Sequence, residues 1–184
     1  LVLYLPLMNI LLIGSGGREH ALADKLASSP LCSKLLIAPG NAGTALLGKN
    51  LSLDTGDLAA VRDVVLKENI GMVVVGPEAP LVAGIVDAFG SDAQLQQIPI
   101  IGPAASGAML EGSKAFAKAF MRRYGIPTAS YARFDNSQLE EALSYVHNHT
   151  LPVVLKADGL AAGKGVVICT SHEEAAHELK EMLG

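Results

Sequence analysis

The sequence predicts an α/β protein: an open parallel sheet with helices on its faces, followed by a second, smaller α/β unit. Two observations predict it. Half of the 184 residues are hydrophobic, yet only 4% are aromatic and none is Trp, so the core must be built from Leu, Val, Ile and Ala. That is the composition of buried parallel strands under Ala-rich helices. Short apolar runs, continuous rather than alternating, also recur between helical patterns and end in Gly or Pro, as strands buried on both faces do.

The opening LVLYLPLMNILLI has no basic residue ahead of its apolar stretch and is interrupted by Pro6 and Asn9, unlike a secretory leader. Met8 reads as a natural start, with residues 1–7 an upstream extension. Strands are expected at Ile10–Ile13, Leu35–Ala38, Met72–Val75 and Ile98–Ile101. Helices are expected at Glu19–Ala27, at Leu58–Asn69, where Leu58, Val61 and Val65 keep helical spacing, and at Leu81–Phe89. The resulting β-α-β-α-β-α-β order calls for right-handed crossovers and a parallel sheet.

The register changes after Ile101, with a domain boundary expected near Ala105–Glu111 and no long linker. A helix over Ser113–Tyr124 takes Ser113 as N-cap, carries Phe116 and Phe120 on one face and stops at Gly125–Pro127. Ser137 with Glu140 and Ser171 with Glu174 read as capping boxes of two later helices. Val153–Lys156 and Val166–Cys169 read as strands flanking a glycine loop. The tail is expected to run strand, helix, strand, loop, strand, helix.

Several function classes are disfavoured. Fourteen basic and 18 acidic residues give a net charge of -4 with no basic block, so neither nucleic acid nor an anionic membrane is an expected partner. No apolar stretch is long enough to span a bilayer. Cys32 and Cys169 form no C-x-x-C pair, which argues against a disulfide framework or zinc site and for a reducing, cytoplasmic setting.

Chemistry concentrates in the glycine-rich turns. LPVVLKADGLAAGKGVVI, residues 151–168, departs from the P-loop of ATPases: Gly159 and Gly163 enclose three residues rather than four, and Gly165 follows Lys164 where Ser or Thr is needed. Phosphate remains its expected ligand, because free amides and a mobile lysine suit an anion. GSGGREH, residues 14–20, follows the first strand, but Glu19 stands where a dinucleotide fingerprint needs glycine, and no acidic residue caps the second strand. Gly14, Gly16 and Gly17 still expose amides at a helix start, and Arg18 adds a donor fork; tight packing is the competing explanation for the glycines.

PGNAG at residues 39–43 and GPEAPL at residues 76–81 each lie past the carboxyl end of a strand, the edge at which open α/β sheets bind ligands. Asn41 and Glu78 are the polar side chains there able to read ribose hydroxyls or an amine, against plain roles as a turn residue and a helix-start carboxylate. Lys114 opposes the dipole of the helix it begins, which suggests a ligand, although a solvated lysine is the alternative. Lys156 ends an apolar strand, so its charge is expected to need a partner such as phosphate. Of His20, His147, His149, His172 and His177, none shows metal spacing; His20 is expected to line the crevice and the others to be solvated. No Ser-His-Asp or Cys-His arrangement is indicated.

GSGGREHALA, APGNAGT, VGPEAPLVAGIVD, LEGSKAFAKAFM, YGIPTASY and KADGLAAGKGVVI, in this order, closely resemble the amino-terminal part of the glycinamide ribonucleotide synthetase (phosphoribosylamine-glycine ligase) family of the ATP-grasp superfamily. The resemblance covers residues 8–184. It implies a Rossmann-like, pre-ATP-grasp amino domain over residues 8–108, then an incomplete ATP-grasp domain over residues 109–184 with its lid subdomain from about residue 128. It further implies a carbon-nitrogen ligase of purine biosynthesis, which joins glycine to 5-phosphoribosylamine through an acyl phosphate and yields ADP and phosphate.

By that resemblance, ATP would be held by Lys114, Lys156, Asp158, Gly159, Leu160, Ala161, Ala162, Gly163, Lys164 and Gly165. Phosphoribosylamine would be held by Gly14, Gly16, Gly17, Arg18, Glu19, His20, Asn41, Gly43, Pro77 and Glu78. The family's ligands for magnesium or manganese, its glycine site and much of its adenine pocket match nothing in these 184 residues. A non-catalytic nucleotide or sugar-phosphate binding fragment is therefore the alternative, followed by another ATP-grasp ligase and, last, a dehydrogenase.

Overall fold

The computed structural model describes residues 7–160 and 165–183. The chain divides into two compact units, Leu1–Met109 and Leu110–Gly184.

In the first unit, β1 (Met8–Gly14), β2 (Cys32–Pro39), β3 (Lys49–Asn50), β4 (Ile70–Val75) and β5 (Ile100–Ile101) form one sheet in the order β3-β2-β1-β4-β5. All four pairings are parallel. Helices α1 (Gly17–Ala27), α2 (Leu58–Lys67), α3 (Glu78–Val82) and α4 (Ile85–Ser91) supply the crossovers. The period-2 geometry of a strand divides β1 between two cores. Leu11 and Ile13 pack with Val61, Val65, Ile85 and Phe89, while Ile10 and Leu12 pack with Ala23, Leu35 and Ile37. The continuous apolar runs are thus strands buried on both faces. Asp57 starts α2 by accepting from the N–H groups of Ala59 and Ala60, a cap that contributes about 1 kcal/mol.

Two expectations need correction in this unit. The single helix over Leu81–Phe89 is two, because Gly84 adopts φ +89 and starts α4 afresh. The strand at Ile98–Ile101 shortens to two residues, since Pro99 has no N–H to give to a ladder. The two-residue β3 was not anticipated. The division between the units falls within Ala105–Glu111, where the boundary was expected, and the segment there is helix α5 (Ala105–Gly112), whose first N–H donates to Asp87 Oδ2 at 2.8 Å.

The second unit contains α6 (Lys114–Arg123), α7 (Leu139–His147), β6 (Val153–Lys156), β7 (Val166–Cys169) and α8 (His172–Leu183). β6 and β7 pair antiparallel, Val153 opposite Cys169 and Lys156 opposite Val166. This sheet is covered on one face: Val153, Leu155 and Cys169 pack with Ala142 and Val146 of α7 and with Ala175 and Leu179 of α8. Ser113 caps α6 as expected, accepting from the Phe116 N–H at 3.1 Å, and Gly125 follows at φ +66.

The strand expected at the start of the tail is absent among the described residues. The segment after α6 is instead held to that helix by Lys118 Nζ, which donates to Thr128 Oγ1 and the Ala129 carbonyl. Asp135 with Gln138, rather than Ser137 with Glu140, forms the capping box, on a 3-10 turn that leads into α7. Ser171 does accept from the Glu174 N–H, but the Glu174 carboxylate reaches back to the Thr170 N–H rather than to Ser171. Among the described residues no helix is long and apolar enough to cross a membrane.

Candidate functional site

Parallel register brings three turns to one edge of the first unit's sheet. Gly14 lies opposite Pro39 and Ile13 opposite Val75, so the chain leaves β1, β2 and β4 side by side. The Gly40 N–H donates to the Gly14 carbonyl at 3.1 Å and the Gly76 N–H to the Ile13 carbonyl at 3.0 Å, extending the ladder into the turns.

Glu19 lies beneath these turns and is only 4% exposed. Its Oε2 accepts from the Gly16 N–H at 2.7 Å, and its Oε1 accepts from Arg18 Nε at 3.1 Å. A Cβ on Gly14 would lie 2.3 Å from Glu19 Cγ, and one on Gly76 would lie 2.4 Å from Oε1. The two glycines therefore make room for a carboxylate. This explains the departure from the dinucleotide fingerprint, whose third glycine serves close helix–strand packing; here a buried acid fills that space and caps α1 as its third residue. It also changes the sequence-based picture, since the Gly16 amide is already satisfied and Glu19 faces inward rather than toward the crevice.

Arg18 remains exposed, steadied by Glu19 and by Glu78, whose Oε2 is 3.6 Å from Nη2. The hydrogen bond that Arg18 donates to Glu19, reinforced by the two carboxylate charges against the opposing effect of burial, raises the affinity of this guanidinium for its proton. Glu78 begins α3 after Pro77, and its side chain is 42% exposed.

Asn41 is also turned to the protein. Its Oδ1 accepts from the N–H groups of Gly43 and Thr44 at 2.8 and 3.0 Å, and its Nδ2 donates to the Ser15 carbonyl at 2.9 Å. The His20 ring lies over Gly43, where a Cβ would be 2.3 Å from Cε1, and His20 is otherwise exposed. Gly17 has open space around it. Of the ten residues expected here, Arg18, His20 and Glu78 present side chains outward, and Glu19 and Asn41 build the support.

In the second unit, Lys114 Nζ donates to the Gly159 carbonyl at 2.8 Å. Asp158 accepts from the Ser113 hydroxyl at 3.0 Å and from the Ala115 N–H at 3.2 Å, so it caps the start of α6 from another part of the chain. Burial pushes the Asp158 carboxyl up, but hydrogen bonds from Ala115, Ser113, Gly159 and Lys114 outweigh it and leave the carboxyl below its usual range. Gly159 adopts φ +87, and the Ala157 N–H donates to the Gly165 carbonyl at 2.8 Å to close the hairpin base. Ala161, Ala162, Gly163 and Lys164 lie outside the described residues.

Lys156 needs no buried partner, contrary to expectation: β6 alternates, and Lys156 stands on its exposed face with Val154. Opposite them Val166 is also exposed and Ile168 is 63% exposed. This apolar strip was missed, although the alternation in VVLK against a one-sided core is its signal. Leu160 is exposed nearby in sequence.

The histidines differ from expectation too. His149 follows the end of α7, and it and His172 are half-buried, with His172 Nε2 2.9 Å from the His149 carbonyl. A surface hollow of about 650 Å³ beside α7 is lined by Glu141, Ser144, Tyr145, Asn148, His149 and Thr150, and contains none of the expected site residues. Among the described residues no three His, Cys, Asp or Glu side chains gather closely enough to hold a metal ion.

Residues 8–111 match the family model described as phosphoribosylglycinamide synthetase, N domain, and residues 112–184 match phosphoribosylglycinamide synthetase, ATP-grasp (A) domain. The chain is 52% identical over 178 residues to a phosphoribosylamine–glycine ligase from Haemophilus influenzae, and 50% identical to one from Pseudomonas aeruginosa. Each alignment covers 96% of this chain and 40% of the relative, so the chain spans about two fifths of the length of these proteins. Among solved structures, a phosphoribosylamine–glycine ligase from Thermotoga maritima superposes with a TM-score of 0.65 at 32% identity, covering 92% of this chain and 38% of that one. An ADP complex of N5-carboxyaminoimidazole ribonucleotide synthetase shares the fold, with a TM-score of 0.73 at 20% identity.

Proposed function

The chain belongs to the phosphoribosylglycinamide synthetase family, and from that premise we propose that it supplies the sugar-phosphate and part of the ATP site of a ligase that joins glycine to 5-phosphoribosylamine. The observation that carries this reading is the pair of consecutive matches, residues 8–111 and 112–184, which assign both units to one enzyme. The boundary of the substrate-binding part near residue 108, and a lid from about residue 128, belong to the proposal.

A carboxylate is a poor acyl donor. Transfer of the γ-phosphoryl group of ATP to the glycine carboxylate gives an acyl phosphate and ADP; attack by the amine of phosphoribosylamine then forms the amide, releases phosphate and loses one proton. The chain's part is positioning and charge neutralisation. In the second unit, Lys114, Lys156 and residues 158–165 would face the phosphates, and the strip of Val154, Val166 and Ile168 offers an apolar platform beside Lys156 for the adenine ring. In the first unit, Arg18 would face an anionic oxygen, and Glu78, acceptor-only and half-exposed, would take the substrate's amine or a hydroxyl. Gly14, Gly16, Gly17, Gly43 and Pro77 shape the turns, and His20 walls the crevice.

Magnesium or manganese, expected with ATP, finds no three-ligand group among the described residues, so no step is routed through it. The chain's span of about two fifths of its relatives' length supports a second reading of the 184-residue chain by itself, as a binding fragment without turnover. Titration with ribose 5-phosphate and, separately, with ATP, followed by amide NMR, tests the reading. Ribose 5-phosphate should shift amides of residues 14–20 and 40–43, ATP should shift those around Lys114 and Asp158, and glycine should elicit no sustained ADP release. Binding of neither compound overturns the site assignment, and sustained glycine-dependent ADP release overturns the fragment reading. A cytoplasmic location completes the proposal.

A further inference from the structure

Thr44 and Asn50 are not among the expected site residues, yet they form the polar centre on which the 39–43 turn is built. Thr44 is fully buried, at 0% exposure. Its Oγ1 accepts from the Asn41 N–H at 2.8 Å and lies 2.9 Å from Asn50 Oδ1 and 3.0 Å from the Asn41 carbonyl. A hydroxyl has one proton to give. Asn50 Nδ2 already donates to the Asn41 carbonyl at 2.8 Å, so the Thr44 proton goes to Asn50 Oδ1. Both backbone polar groups of Asn41 are thereby satisfied from below.

Asn50 is placed by β3, where it pairs with Ile37 of β2. Its carboxamide also fills the space beside Gly40, where a Cβ would lie 2.3 Å from Oδ1 and φ is +73. With the Asn41 backbone fixed, the Asn41 side chain is aimed at the neighbouring turn, where Nδ2 donates to the Ser15 carbonyl at 2.9 Å while Oδ1 holds the Gly43 and Thr44 amides. The chain of contacts runs Asn50, Thr44, Asn41, Ser15, and joins two turns 26 residues apart in sequence.

We infer that Thr44 and Asn50 are positioning residues for sugar-phosphate recognition, locking the 39–43 turn to the Ser15–Gly16 turn through Asn41 so that the two present one preformed surface. This rests on the proposed sugar-phosphate role of those turns. It also recasts Asn41, whose carboxamide is consumed in joining the turns rather than in reading a hydroxyl. The two-residue β3 thus acquires a purpose as the mount for Asn50.

The test uses the 184-residue chain, the variants Thr44→Val and Asn50→Asp, the conservative Thr44→Ser, and ribose 5-phosphate as probe. Val keeps the shape of Thr and removes the hydroxyl; Asp keeps the shape of Asn and removes the Nδ2 donor. Two readouts are taken. In the free protein, amide signals of Ser15 and Gly16 should move in Thr44→Val and Asn50→Asp. With ligand, affinity should fall about tenfold in both, the loss expected when a buried hydrogen-bond partner is removed, and return in Thr44→Ser, while ATP-induced shifts around Lys114 stay as in wild type.

A lower melting temperature with unmoved Ser15 and Gly16 signals and unchanged affinity would reduce the network to a fold-stabilising one and overturn the inference. Failure of the wild-type chain to respond to ribose 5-phosphate overturns the ligand reading instead. In that event the free-protein shifts judge the coupling, and their absence overturns it as well. If Thr44→Val does not fold, Asn50→Asp carries the same two readouts, with Thr44→Ser as the control expected to match wild type.

Discussion

Two glycine-rich regions in one chain differ in what surrounds their glycines. In the turns of the five-stranded sheet the glycines are crowded: Gly14, Gly16 and Gly76 close on Glu19, Gly40 on Asn50 and Gly43 on His20. In the hairpin of the second unit, Gly159 has open space among the described residues and is distinguished by its φ of +87. The first region needs room beneath the backbone, at Gly14 and Gly40 together with a positive φ, whereas at Gly159 the backbone conformation alone excludes a side chain among the described residues. Glycine-rich sequence alone therefore does not announce amides waiting for an anion. In the first region the protein's own carboxylate and carboxamide have taken the Gly16 and Gly43 N–H groups.

The comparison is broken most directly at Gly76. Its φ is unexceptional, so any cost of Gly76→Ala must come from the buried Glu19 side chain 2.4 Å from the added Cβ. Overpacking of this kind should cost about 3 kcal/mol in urea unfolding. The same substitution in a Glu19→Ala background should cost well under half as much. Equal costs in the two backgrounds would refute the crowding account. Glu19→Ala by itself comes next, at about 2 kcal/mol, because it strands the Gly16 N–H and empties packed space.

Gly159→Ala sharpens the other side. With nothing among the described residues near enough to clash, the positive φ opposes a side chain, and the cost should be about 1 kcal/mol, insensitive to truncation of the described neighbours. A cost as large as that at Gly76 would mean that contacts rather than conformation govern this loop too.

The same contrast explains what was legible in the sequence. The parallel sheet was legible because buried strands write continuous apolar runs, and α6 because Ser113 and the Gly125–Pro127 stop write its ends. β3 was not, since a two-residue strand has no period, and α5 was not, because its N-terminal cap, Asp87, comes from an earlier helix. At the site, residue types and their shared edge were legible, but direction was not. Nothing in GREH says that Glu19 faces inward, and nothing in PGNAG says that Asn41 is spent on Ser15, because both facts depend on partners from other turns. The apolar strip of Val154, Val166 and Ile168 was within reach, since a strand covered by helices on one face must leave alternate residues open.

The smallest expected effect concerns the one carboxylate that ties the second unit's loop to a helix start. Asp158 accepts from Ala115 and Ser113 at the beginning of α6, and those bonds hold its carboxyl below the usual range. A depressed folded-state pKa means that the stabilisation is complete above the unfolded value of about 3.9 and disappears as the pH falls through the lower folded value. Asp158→Asn should therefore cost about 0.5 kcal/mol at neutral pH, a cap partly exposed to water, and nothing once wild-type Asp158 is itself protonated, so the two stability curves should converge below about pH 4. Urea midpoints of the two proteins across pH 2.5–7 measure this directly. A gap that persists into acid would show that Asp158 acts through the shape of its hydrogen bonds alone. A gap that closes would show that its charge at the helix start supplies the attachment.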